Sequence, residues 1–238
     1  MGILDSILGR SKPVRPDLDR LFALPSAALT LQAGTGFVPT GEGSVCFAGV
    51  EGGAFTRLKE EVRALLDVAV DAAPDVGTGP DVGTASDLDA ALGIDAALGI
   101  GTGSEAPSGG ASAVPVTFSR DPYGYTWLRA RRAADDLVSL VNDLHAVNTL
   151  LQESGFGPHL LCSLTAFHAP DLDHDLALVY LYKRGTFYPF APRADGTSRR
   201  DSALELQVRA LLAGDLAIER DLERWFPLWG APGVGGEG

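Results

Sequence analysis

The 238-residue chain contains no apolar run approaching the roughly 18 to 20 residues that a membrane-spanning helix needs. Nor does it open with the charged-then-apolar order of a signal peptide. Both absences lead to the expectation of a cytoplasmic protein. Cations are scarce: 19 Lys and Arg stand against 31 Asp and Glu, for a net charge of −12. Neutralising nucleic-acid phosphates takes clustered Lys and Arg, so a general DNA or RNA binder is disfavoured. Cysteine is scarce as well. Cys46 and Cys162 sit in the apolar runs SVCFAGV and LLCSL and read as two small buried hydrophobes, with one reactive thiol or a single bridge as the alternatives. HExxH, CxxC and G-x-S-x-G do not occur, which removes sequence support for a structured metal site or a hydrolytic nucleophile.

The charge that is present is unevenly spread. Residues 67–113 hold eight acids and no Lys or Arg, which leaves −4 for the remaining 191 residues. This stretch is built from Gly, Ala, Asp, Ser, Thr and Pro, and carries two short tandem duplications, DVGTGP/DVGTAS and DAALGI/DAALGI. With no aromatic and few bulky aliphatic residues it cannot offset its ordering entropy, so it reads as a disordered acidic insertion. Residues 1–16 form a separate segment. Ile3, Leu4, Ile7 and Leu8 fall on one helical face ahead of Arg10, Lys12 and Arg15, a pattern that suits a membrane surface or a partner helix.

The rest, residues 17–66 and 114–232, reads as one domain, with 233–238 a disordered tail. Asp17 predicts the start of a short amphipathic helix that ends at Pro25. Residues 36–50 predict one or two short strands, and Phe55, Leu58, Val62, Leu65 and Leu66 a helix over about 53–67. Two strands flank the Asp121-Pro122-Tyr123-Gly124 turn. A helix follows, with Asp135 and Asp136 at its start, a stripe from Leu137 to Leu151, and Gly155 as terminator. Residues 159–192 supply two or three strands. A last helix begins with the capping box Ser202-x-x-Glu205 and stops at Gly214. Strands joined by short turns pair antiparallel, and helices arriving after strand pairs cover one face. The fold class is therefore α+β, an antiparallel sheet with helices packed mainly on one face.

Candidate chemistry is sparse. His168, Asp171, Asp173, His174 and Asp175 form the densest set of metal-capable ligands, yet Leu176 and Tyr182 occupy the places where a Ca²⁺ loop needs Gly and Glu, so a solvated hairpin turn is the better reading. His145, beside Asn148 on the long helix, reads as a polar lid ahead of a general base. Together with Lys183 these two residues mark the position an enzyme site would take. Aromatic and basic residues interleave at Tyr123, Tyr125, Trp127, Arg129 and again at Tyr180, Tyr182, Lys183, Arg184. Such strands suit a protein-binding sheet face or plain core; base stacking would require Tyr125, Trp127 and Tyr182 to lie exposed together beside Arg129. Trp225 and Trp229, in the Pro-rich stretch RWFPLWGAP, either close the domain or anchor an interface.

The strings DLDRLFALPSAALTL, GYTWL, DLHAVN, GFGPHLLCSL, LALVYLYKRGTFYPFAP, ALELQVRALLAGDL and RWFPLWGAP make the chain similar to the PspA-associated PspAB family of phage-shock systems, over residues 1–66 and 116–232. The resemblance implies a non-enzymatic accessory of the envelope-stress response whose partner is PspA, a coiled-coil protein that binds the inner membrane. It implies no cofactor and supplies no catalytic residues. The element order also loosely resembles the YbjN and type III secretion chaperone folds, a fold-level analogy only. The candidate contact residues are Tyr123, Tyr125, Trp127, His145, Asn148, Tyr182, Lys183, Arg184, Trp225 and Trp229. Ile3, Leu4, Ile7 and Leu8 add a membrane or partner contact.

Overall fold

The structure, a computed structural model, describes residues 17–48, 53–71, 116–193, 195 and 197–234. The N-terminal stripe of Ile3, Leu4, Ile7 and Leu8 and most of the acidic stretch 67–113 lie outside the described residues.

A 3₁₀ turn, Leu18–Ala23, leads into helix α1, Leu24–Thr35. Pro25 starts this helix instead of ending one. In the first turn its missing N–H has no intrahelical acceptor to lose, so SAALTLQA continues as helix until Gly36 terminates it in the left-handed region, φ 77°. Asp17 makes no side-chain cap bond and pairs with Arg20. Strand β1, Val38–Ala48, is a single strand of 11 residues. It bulges between Pro39 and Gly43, where Gly41 sits at φ +78° and a Cβ would come within 2.1 Å of the Arg132 carbonyl oxygen. Helix α2, Gly53–Asp71, extends past the boundary expected at residue 67.

Strands β2, Thr117–Arg120, and β3, Tyr125–Arg131, flank the Asp121 turn. Helix α3, Leu137–Leu151, is capped by Asp136, whose carboxylate accepts from the Ser139 N–H at 3.1 Å. Gly155, at φ +85°, turns the chain out of it. Three strands follow: β4, Leu160–Ala169, β5, His174–Leu181, and β6, Thr186–Phe190. The His/Asp-rich stretch forms the β4–β5 hairpin, with His168 Nδ1 2.8 Å from Asp175 across the strand pair.

Helix α4, Ser202–Leu211, does not start with the expected capping box. Asp201 takes the cap, accepting from the Leu204 N–H at 3.0 Å. Glu205 turns inward, where it accepts from the Ala191 N–H and from Arg200. Asp201, one residue earlier, starts the helix, its carbonyl accepts the Glu205 N–H that the box would have given to Ser202, and Arg200 draws the Glu carboxylate into the protein. Burial pushes the Glu205 carboxyl up, against the pull of Arg200.

The six strands form one antiparallel sheet in the order β2-β3-β1-β4-β5-β6. Alternation along each strand gives the sheet two faces. Val45, Phe47, Leu128, Phe167, Leu178 and Tyr180 point into the main core, which the helices close with Leu21, Leu31, Leu58, Val62, Leu144 and Val208. Each such fully buried side chain contributes roughly 1.5–3 kcal/mol. Arg132 and Asp143, both mostly buried, tie β3 to α3 through two hydrogen bonds of 2.6 and 2.9 Å.

The opposite face carries Cys46, Trp127, Cys162, Leu164, Ala177, Val179, Tyr188 and Phe190. No helix covers it. The final stretch of described chain folds back over part of this face, with Trp225, Ala231 and Val234 buried against it. Packed chain thus continues to Val234, two residues past the boundary expected at 232.

Candidate partner-binding groove

Four side chains form a row across the helix-free face. Trp127 is directly opposite Cys46, Cys46 opposite Cys162, and Cys162 opposite Leu181. At one end of the row Asp121 braces the β2–β3 turn. One of its oxygens accepts from the Tyr123 and Tyr125 N–H groups, both at 2.9 Å, and the other from the Trp127 indole at 3.0 Å. Gly124, at φ +86°, lets the turn close. The Asp-Pro-Tyr-Gly sequence therefore fixes an indole as well as a reversal of the chain.

A wall rises from the other side. Trp225 stacks on Tyr188 at 6.0 Å between ring centroids and donates its indole N–H to the Glu219 carbonyl. The Tyr188 hydroxyl donates to the Phe226 carbonyl, and Trp229 meets Phe190 edge to face at 5.1 Å. Anchored at both ends, Phe226, Pro227 and Leu228 stand over the sheet and leave a cleft of about 580 Å³. Cys46, Cys162, Trp127, Leu161 and Leu181 line it from the sheet, and Tyr123, Tyr125, Lys183, Arg184 and Arg224 also border it. Such a volume, mostly apolar with a few polar groups, is what a recognition site needs.

The charges around the groove differ in their commitments. Arg184 pairs with Glu219 at 3.1 Å and Arg224 with Asp221 at 3.0 Å. Lys183 has no hydrogen-bond or ion-pair partner among the described residues. Burial works to raise the Glu219 carboxyl, but the Asp221 N–H, Arg184 and the Thr186 hydroxyl outweigh it and hold the group down at about 2. Cys46 is pushed up by its thiol contact with Cys162, and burial adds to the effect.

The structure brings Tyr123, Tyr125, Trp127, Lys183, Arg184 and Trp229 together on this groove, with Trp225 behind its wall. The other three candidates lie on the helix side of the sheet. His145 is 3.2 Å from Asp19 and packs on Phe22 at 4.7 Å, clamping α3 to the opening 3₁₀ turn. Asn148 is buried and donates to the Ser163 hydroxyl at 3.0 Å, which is 2.8 Å from the Tyr182 hydroxyl. Burial drives the Tyr182 phenol well above its usual range, opposed by that hydroxyl. His145, Asn148 and Lys183 therefore do not share a cleft. Trp127 and Tyr182 are buried on opposite faces and offer no joint stacking surface for bases. Sequence reading singles out Tyr188 and Phe226 among the aromatic residues but misses Leu161, Leu181 and the Pro227–Leu228 part of the wall. Period-two alternation places Leu181 on the same face as Val179, but nothing local reveals which stretch of chain folds over that face.

The fold is α+β, and its helix-free face holds an apolar cleft walled by aromatic rings. The chain belongs to the PspA associated protein B family, PspAB, whose model matches residues 1–82 and 106–233. The internal gap in the match, residues 83–105, falls inside the acidic stretch. The family's description ties the chain to PspA and fits an accessory role in phage shock. No curated protein and no solved structure matches it. Among the described residues no helix is long and apolar enough to cross a membrane.

Proposed function

We propose that the chain is a cytoplasmic, non-enzymatic accessory of PspA that acts by protein–protein contact, and that the groove is where it holds its partner. The observation that carries this reading is the uncovered aromatic cleft on a sheet whose other face is closed by helices. Aromatic anchors seated in a preformed apolar pocket supply most of the binding energy in protein interfaces. The occupant is an amphipathic segment of PspA, with its apolar side on Trp127 and Trp229 and a carboxylate toward Lys183. Coiled-coil helices present such stripes, flanked by charge. Ile3, Leu4, Ile7 and Leu8 give a second contact, to the partner or to the membrane surface.

Calorimetry with purified PspA tests the proposal. Wild-type chain binds; Trp229→Ala and Lys183→Glu each weaken binding at least tenfold, while a chain lacking residues 2–16 keeps the groove contact. Wild-type affinity in both groove variants, or no binding by the wild type, would overturn it.

A further inference from the structure

The two cysteines, far apart in sequence, face each other across β1 and β4 as direct partners. In an antiparallel pair, opposed Cα atoms are about 4.5 or 5.5 Å apart, depending on whether the pair is hydrogen-bonded. Both spacings lie within the roughly 4.4–6.8 Å over which a disulfide joins two residues. The pairing register shifts between Cys46 and Phe47, so β1 is locally irregular at this position and can adjust to bring the sulfurs together. Both thiols are free, and both line the groove, which gives small solutes a path to them although each residue is at most 5% exposed.

We propose that Cys46 and Cys162 form a reversible oxidation site, which peroxide entering through the groove converts into a cross-strand disulfide. One thiolate attacks a peroxide oxygen, the O–O bond breaks, and the departing hydroxide takes up a proton as water, leaving a sulfenic acid. The second sulfur then attacks the first, the S–O bond breaks, and a second water leaves. Two thiols lose two electrons in total and peroxide gains them. Because the Cys46 thiol is pushed up by its neighbour and by burial, the thiolate is scarce at neutral pH, and the reaction accelerates as pH rises. The bond would lie beside Trp127, the direct partner of Cys46 on β3, and would fix the sheet side of the groove.

The experiment treats full-length native protein with hydrogen peroxide at pH 7 and pH 8.5, then alkylates under denaturing conditions and measures intact mass. The expected product is a monomer about 2 Da lighter with no alkylatable thiol. It forms faster at pH 8.5, is restored by dithiothreitol, and shows a parallel reversible loss of tryptophan fluorescence. Cys162→Ala should keep its fold and give neither the mass loss nor the reversible quenching. Two thiols still alkylatable after treatment, a disulfide-linked dimer, or separate gains of about 32 Da on each cysteine would overturn the proposal. Thiol counting involves no partner, so these outcomes stand apart from any result with PspA.

Discussion

The two faces of the sheet use similar residues to different ends. On the helix side, Leu, Val and Phe at alternate strand positions meet the helices and the core is sealed, down to a buried Asn148–Ser163–Tyr182 hydrogen-bonded group. On the other side, among the described residues, tryptophan, tyrosine and cysteine meet a folded-back stretch of chain, and the mismatch between a broad sheet and a narrow cover is the groove. Burial thus seals one face completely and leaves a cleft beside the buried cluster of the other, the cleft proposed above for the partner. Substitutions on the first face should cost stability; those on the second should cost association.

The sharpest test of the sealed side is Gly41→Ala. Its Cβ would overlap the Arg132 carbonyl at a left-handed position, so we expect a loss of more than about 4 kcal/mol or failure to fold, seen by chemical denaturation. Asp143→Ala leaves the Arg132 guanidinium buried without its carboxylate and should cost about 3–5 kcal/mol in the same assay. Glu219 tests the join between the faces by pH. Its folded value, about 2, lies below the ordinary 4.5, so its contribution is complete above about pH 5 and is lost as pH falls toward 2. Glu219→Gln should flatten that part of the stability-against-pH curve, by about 2–3 kcal/mol. Glu205, shifted upward, opposes this trend in the wild type, because protonation favours its folded environment. Tyr182→Phe removes one hydroxyl from the buried group and should cost about 1–2 kcal/mol without altering partner affinity. Smallest in stability is Trp229→Ala, expected at about 1 kcal/mol for the lost edge-to-face contact with Phe190. If it destabilised the fold as much as Asp143→Ala, the division between the faces would collapse.

Much of the sealed side was legible in the sequence because its signals are periodic. The stripe from Leu137 to Leu151, the Asp121 turn and the strand runs around Cys162 and Tyr180 each repeat at a spacing that one element imposes. Single-position signals fared worse. Pro25 reads equally as a stop or a first-turn residue, and Ser202 lost the cap to Asp201 because a helix start moved by one residue leaves no periodic trace. The groove was half legible. Alternation put Tyr125 and Trp127 on one face, but Tyr180 and Tyr182 belong to the opposite face from Tyr188, and adjacency in sequence hides that. The placement of Trp225 and Trp229 depends on a long-range return of the chain that no local pattern encodes.

Strand β1 lies at the centre of the sheet, and both its neighbours, β3 and β4, come from beyond residue 116. During synthesis the first half of the polypeptide therefore leaves the ribosome with an eleven-residue ribbon that has no mate on either side. Main-chain amides and carbonyls along both margins wait while more than 70 further residues are translated before the first mate arrives. Pairing across so long a separation is slow, because loop entropy is lost before the contacts form.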